Sequence, residues 1–222
     1  MPEMEEFTMM LEDIMKTDVV SVKPADRLDR AFKLMEDHKI RHLPVTDEEM
    51  TIIGIVSDRD LRDASPSVFN PSESSFAEKE VSSIMKRDVI TALPTDFVED
   101  AATVMVENQF SCLPIEREDR LVGIITDSDL LKTLVRLTGA DLPTSRLEVQ
   151  VPNISGMLTR AASLISEQGV NIQSVLVYPA KNPEKKTLVF RVETMDTRKL
   201  VERMEAHEFT VLWPEQTPGM SI

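Results

Sequence analysis

Apolar residues fall into two copies of one pattern, and a third region follows a different one. Residues 14–45, "IMKTDVVSVKPADRLDRAFKLMEDHKIRHLPV", align without a gap over 84–115, "IMKRDVITALPTDFVEDAATVMVENQFSCLPI". The offset is 70 through both Leu-Pro pairs and 69 at Gly54 and Gly123, so one residue is lost just after the shared block. An internal repeat of this length marks a duplicated structural unit. Each copy predicts a short helix ending at "IMK", a brief β segment ("VVSV", "DVITAL"), an amphipathic helix, two strands and a last helix. The first helix carries Leu28, Ala31, Phe32, Met35 and His38 at helical spacing behind Asp26, a candidate N-cap; the second carries Val98, Ala101, Ala102 and Met105 behind Asp96. His38, on that stripe, is expected to be packed or half-buried. The prolines of "HLPV" and "CLPI" lack a backbone donor and place those strands at a sheet edge or a break in a ladder. In "SDLLKTLVRL", Leu130, Leu134 and Leu137 form one stripe.

From Arg146 the period changes. "RLEVQV" alternates as a strand, and the helix that follows has Leu158, Ala161 and Ile165 on one face, stopped by Gly169 as a C′ glycine. Two strands joined by "AKNPEK", a helix capped by Asp196 and the strand "FTVLW" complete a βαββαβ order, which puts two helices on one face of an antiparallel sheet. The predicted class is α+β: repeat one over 8–66, a Ser/Pro/Glu-rich surface linker over 67–79, repeat two over 80–138, a linker over 139–145 and a ferredoxin-like domain over 146–214, with a frayed tail. A half-covered sheet leaves apolar surface bare, so the two repeats are expected to pack together and form paired clefts.

Both repeats end in one phrase, "GIVSDRDL" at Gly54–Leu61 and "GIITDSDL" at Gly123–Leu130. Ser57 with Asp60 and Thr126 with Asp129 have capping-box spacing, which any strand-to-helix junction can use. The same residues also suit a nucleoside phosphate. Helix N-terminal amides and a hydroxyl attract phosphate, an ionised Asp accepts from two ribose hydroxyls, and Gly54 or Gly123 admits a flat base beside the strand. The two uses can coexist. The copies differ in charge: Arg59 matches Ser128, and Arg41 and His42 match Ser111 and Cys112, so the site served by Ser57, Arg59 and Asp60 is expected to hold phosphate more tightly.

Composition narrows the function. The formal net charge of −14 repels phosphate backbones and anionic lipid, and no basic stripe reverses it, so neither nucleic acid nor membrane is an expected partner. No apolar run reaches spanning length, and the acidic N-terminus lacks the basic residues of a signal peptide, so a cytoplasmic location is expected. A single cysteine, Cys112, excludes an intrachain disulfide and is read as a buried thiol. The three histidines have no metal-ligand spacing, and no nucleophile is paired with a base; no metal, no resident cofactor and no catalysis are expected.

The duplication, the "IMK" lead-ins, the Leu-Pro strands and the two final phrases resemble a tandem pair of CBS domains over roughly Leu11 to Leu137. The resemblance implies an adenine nucleotide (AMP, ADP or ATP) as a regulatory ligand, with Ser57 and Asp60, or Thr126 and Asp129, meeting phosphate and ribose. It also implies base pockets lined by Val20, Ser21, Ile40 and His42 and by Ile90, Thr91, Phe110 and Cys112, and pairing of two chains into a dimer. "VQVPNISGML" resembles the lead into the first helix of an ACT domain, which implies an amino-acid effector near Asn153 and Gly156, although Asn153 stands where an acid is common and Ser155 where proline is usual. The order CBS, CBS, ACT resembles the acetoin-utilisation AcuB-like proteins and implies a regulatory role, through a partner protein, in acetoin or acetate-related carbon use. The competing reading is a constitutive dimerisation module with vestigial clefts.

Overall fold

A computed structural model describes residues 9–65 and 78–215. The linker expected over 67–79 falls largely outside the described residues, as does the tail beyond 215. The chain forms two compact units, Met1–Leu131 and Lys132–Ile222.

The first unit contains repeat one and repeat two as far as Leu131, within the last helix. Repeat one has a 3₁₀ turn at Leu11–Asp13, helix α1 (Leu28–His38), strands β1 (His42–Thr46) and β2 (Ile52–Ser57), and helix α2 (Asp58–Ala64); repeat two has a 3₁₀ turn at Val81–Ser83, α3 (Val98–Glu107), β3 (Cys112–Arg117), β4 (Arg120–Thr126) and α4 (Asp127–Thr138). β1–β2 and β3–β4 are antiparallel hairpins. The residue lost between the copies lies in the hairpin turns. Asp119 and Glu118 turn β3 into β4 with positive φ at both, whereas repeat one takes a longer turn in which Asp47 accepts from the amides of Glu49 and Thr51. The predicted first β segments shrink to single parallel bridges, Val22 with Val45 and Ala92 with Ile115. These bridges explain the prolines. Pro44 faces Ile55 across the hairpin, but its carbonyl points the other way and accepts from Val22 N at 3.1 Å; Pro114 does the same for Ala92 N. The missing N–H therefore breaks no hairpin bond.

The repeats are interlocked through their lead-ins. Leu11 is fully buried among Val98, Ala101, Leu113, Ile115 and Ile125 of repeat two, while Val81 and Met85 are buried with Leu28, Leu43 and Val56 of repeat one. The backbone joins in: Lys16 exchanges both hydrogen bonds with Ile124, and Lys86 with Ile55, at 2.9–3.0 Å. Each core thus contains a segment of the other copy, the physical answer to a unit too small to cover its own sheet.

This exchange also corrects the predicted helix caps. Asp26 and Asp96 do not cap α1 and α3; they accept from Lys23 N and Leu93 N one turn earlier. The first amide of α1, Leu28 N, donates instead to Lys79 O, and Val98 N of α3 donates to Met9 O, so the exchanged lead-in occupies the place of a side-chain cap. On α1, Leu28, Ala31 and Met35 are buried as expected, but Phe32 is 44% exposed and His38 is exposed. Of the stripe on α4, Leu130 packs partly buried against the core of repeat two, whereas Leu134 and Leu137 are exposed together with Leu131 and Val135.

The second unit forms a four-stranded antiparallel sheet ordered β6-β7-β5-β8, from β5 (Ser145–Pro152), β6 (Ile172–Pro179), β7 (Lys185–Val192) and β8 (Thr210–Trp213). Helices α5 (Met157–Ser166) and α6 (Arg198–Ala206) pack on one face, burying Ala161, Ile165, Leu200 and Met204 against Leu147, Val149 and Phe190. Leu158 departs from expectation, being 40% exposed. Gly169 takes φ +69° two residues beyond the C-cap Glu167. Asp196 accepts from Arg198 N one position before the N-cap Thr197, and the Arg198 guanidinium beside it holds its carboxyl well below the usual range.

Candidate functional site

The strand-to-helix junctions close on themselves. Ser57 Oγ donates to Asp60 Oδ2 at 2.5 Å and accepts from Asp60 N at 3.2 Å, while Ser57 N donates to the same carboxylate oxygen at 2.8 Å. Thr126 and Asp129 repeat the pattern at 2.6, 3.4 and 3.1 Å. Both phrases are therefore true capping boxes. Several amides at these helix starts are engaged as well: Asp58 N donates to Arg41 O and Asp127 N to Ser111 O, and Ser128 N donates to Asp127 Oδ1.

The glycines require a different explanation from a base lying on the strand. A Cβ at Gly54 would lie 2.8 Å from Met85 Sδ and 3.1 Å from Lys86 O; at Gly123 it would lie 2.5 Å from Met15 Sδ and 3.3 Å from Lys16 O. Their missing side chain admits the lead-in of the other repeat.

Room for a ligand lies beside the boxes. Cleft 1, of about 420 Å³, is lined by Ser57, Arg59 and Asp60 of repeat one, with Ile90, Phe110 and Cys112 of repeat two. Cleft 2, of about 170 Å³, is lined by Thr126 and Ser128 of repeat two, with Val20, Ile40, Arg41 and His42 of repeat one. Each cleft thus joins the final phrase of one copy to the β segment and Leu-Pro strand of the other, a consequence of the exchanged lead-ins. Arg41 and His42 reach both. Ser21 and Thr91 line neither, and Asp129, 7% exposed, lies outside the cleft 2 lining. Asn153 and Gly156 lie apart in the second unit: Asn153 Nδ2 donates to Pro183 O at 3.1 Å, and Gly156 precedes α5 with φ +84°.

The electrostatics are local. Lys86 Nζ lies 3.5 Å from Asp60 Oδ1 and Lys16 Nζ lies 3.6 Å from Asp129 Oδ1, one lysine from each lead-in reaching the box of the other repeat. Burial would raise the Asp60 carboxyl, but hydrogen bonds from Ser57 and the Lys86 charge outweigh it and hold the group below its ordinary value. Burial lowers His42, and Arg41 adds to the effect against the opposing pull of Asp58, Asp127 and Asp60; its Nε2 lies 3.1 Å from Ser111 Oγ. Burial also pushes the Cys112 thiol up to about 12, which makes it unreactive. Among the described residues, no group of three or more His, Cys, Asp or Glu side chains could hold a metal ion, and no helix is long and apolar enough to cross a membrane. Sequence reasoning missed the lead-in lysines; their signal was present, since both stand at the end of the repeated "IMK".

Comparison with known proteins settles the family. The CBS domain profile matches residues 11–67 and 81–136, and the ACT domain profile matches residues 145–209. The chain is a tandem CBS protein with a C-terminal ACT domain. It is similar to the solved structure of a putative acetoin utilization protein (AcuB) from Vibrio cholerae, at 32% identity and TM-score 0.54, over 61% of this chain and 96% of that one. It is also similar to CBSX2 in complex with AMP, at 28% identity and TM-score 0.51, over 58% and 97%. Among curated relatives, an inosine-5'-monophosphate dehydrogenase of Methanocaldococcus jannaschii is 34% identical over 122 residues, 54% of this chain but only 23% of the relative. The chain spans less than a quarter of that enzyme. The CBS/ACT architecture is that of non-catalytic regulatory modules, consistent with sensing a nucleotide or other ligand.

Proposed function

We propose that this CBS/ACT protein binds an adenine nucleotide in cleft 1 and transmits its occupancy by changing how the repeats are arranged. One observation carries the reading: a cleft of about 420 Å³ brings Ser57, Arg59 and Asp60 together with the apolar Val89, Ile90 and Phe110. That volume lies within the usual range for small-ligand sites, roughly 300–1,000 Å³. The adenine would lie against Ile90 and Phe110. The ribose hydroxyls would donate to Asp60, displacing the 3.5 Å contact with Lys86. The phosphate would take Arg59, the released Lys86 and, on leaving its 2.6 Å pair with Asp58, Arg62. The AMP complex of the related CBSX2 supports the ligand class. A ligand with different affinity for two arrangements shifts their populations by that difference alone, so no chemical step is required.

Calorimetric titration with AMP, ADP, ATP and S-adenosylmethionine tests the site. Saturable binding that Arg59→Ala weakens about tenfold or more supports it. Absence of binding across the panel overturns it. The likeness to the Vibrio cholerae protein supports a place in acetoin or acetate-related metabolism, for which growth of a deletion strain on acetoin is the direct test. The exposed Leu131, Leu134, Val135 and Leu137 of α4 support pairing of two chains, which sedimentation would detect.

A further inference from the structure

The two clefts have matching frames and opposite charge layouts. At the end formed by the residues before the Leu-Pro strand, cleft 2 has Lys39, Ile40 and Arg41, where cleft 1 has Gln109, Phe110 and Ser111. At the end formed by the final phrase, cleft 2 has Ser128 where cleft 1 has Arg59. Lys39 and Gln109 share the same backbone pose, with φ +53° and +57°, so the exchange is one of side chain on an unchanged frame. In cleft 1 the uncharged end is the one the nucleotide reading gives to the base. In cleft 2 that end carries two cations.

Three cations, Lys16, Lys39 and Arg41, line cleft 2 together with Asp18. Lys16 has Asp129 at 3.6 Å and Arg41 has Asp127 at 3.5 Å just outside the lining. Lys39 makes no ion pair among the described residues, and Arg41 reaches Asp127 only at 3.5 Å with both partners about half exposed. Such a long, solvated pair is worth little and yields easily to a better anion. Its volume of about 170 Å³ is well below the range of nucleotide-sized sites but holds a group of phosphate size with a few waters.

We propose that cleft 2 binds a small oxyanion, a free phosphate or a short carboxylate, between Lys39, Arg41 and Lys16, and that it is not a second nucleotide site. The assignment rests on the nucleotide reading of cleft 1 only for the contrast between the two. Because Arg41 lines both clefts, an anion held in cleft 2 draws the guanidinium away from cleft 1 and takes its charge out of the field that favours a nucleotide phosphate there. Linkage makes that effect reciprocal.

The test titrates inorganic phosphate, and malonate as the carboxylate arm, into the full chain while backbone amide resonances of Lys39–His42 are followed by NMR. Saturable shifts with either anion are expected, weakened about tenfold by Lys39→Gln. That variant copies Gln109, which already occupies the matching backbone pose, so folding is retained, and Lys39 lines only cleft 2. Lys39→Gln leaves AMP affinity measured without phosphate unchanged and moves its dependence on phosphate to about tenfold higher concentration. The shifts persist in Arg59→Ala, which separates failure of this proposal from failure of the nucleotide site. Response to phosphate alone or malonate alone identifies the source. Response to neither, or two AMP molecules per chain with one lost in Lys39→Gln, overturns the proposal.

Discussion

Cleft 1 and cleft 2 descend from one duplicated plan, and their differences lie in a handful of side chains. Both lie beside a hydroxyl-carboxylate box and a lysine from the opposite lead-in, and both take residues from the other copy's Leu-Pro strand. In cleft 1 the Asp60 side chain remains 17% exposed and Arg59 and Arg62 stand beside it; the Asp129 side chain is 9% exposed and stays outside the cleft 2 lining, and Ser128 and Leu131 occupy the matching positions. The backbone therefore sets where a ligand can sit, and substitutions on that frame decide what it can be. A capping box is compatible with either outcome because it fixes the junction without filling the cleft.

The largest expected effect tests whether the repeats are separate bodies. Leu11 belongs to repeat one in sequence and to the core of repeat two in space, so Leu11→Ala should destabilise the unit by about 2–5 kcal/mol in chemical denaturation. Hydrogen exchange should rise first at Leu113 and Ile125, not in α1. Loss of protection confined to repeat one would break the interlocked arrangement. Next comes the close approach at the glycines. Gly123→Val should cost about 1–3 kcal/mol by driving Met15 and the Lys16 carbonyl away from β4, with Gly54→Val acting likewise on Met85. Unchanged stability in both would return the glycines to a ligand role.

The boxes sharpen the comparison at a smaller scale. Asp60→Ala and Asp129→Ala each remove one capping box and should cost about 1 kcal/mol apiece. Only Asp60→Ala should also abolish nucleotide binding, measured by the same titration. Equal loss from both variants would mean that the clefts are not differentiated as their linings suggest.

Much of this was legible in the chain. The repeat, its 70-residue offset and the strand-helix phrase announced two like units, and alternation at 147–151 announced the sheet of the second unit. Local patterns carry such information because each residue's periodicity reflects the face it buries. Two things were not local. Exchange of the lead-ins depends on which copy's hollow accepts Leu11 or Val81, and identical patterns in both copies cannot specify that. Cap assignment failed for the same reason: Asp26 and Asp96 are good caps by type, but a carbonyl brought from the other repeat took the place. The opposite charge layouts are visible as Arg59 against Ser128 and as Arg41 against Ser111, but only the exchange of lead-ins shows that Arg41 lines both clefts.

The smallest effect concerns pH, and it also separates the copies. His42 and Cys112 are counterparts on β1 and β3, and burial disfavours the charged form of each, moving His42 down from its ordinary value and Cys112 up. The folded state holds the proton of His42 less tightly than the unfolded chain, whose imidazole titrates near 6.5. Between those two values the unfolded state binds more protons, so stability falls as pH drops from about 6.5 toward the folded value and is complete above it. The Cys112 thiol, raised to about 12, contributes stability below its unfolded value that is lost as pH rises toward 12. Asp60 adds to the acid side, but only below the ordinary carboxylate range, where its depressed value takes effect. Thermal melts from pH 7.5 down to 5.5 should therefore show a decline that His42→Gln flattens, since glutamine keeps a partner for Ser111 Oγ without a titrating ring. Cys112→Ser should leave the slope in that window untouched. An equal flattening in both variants would show that the acid response belongs to the shared frame of the clefts and not to the one imidazole set between them.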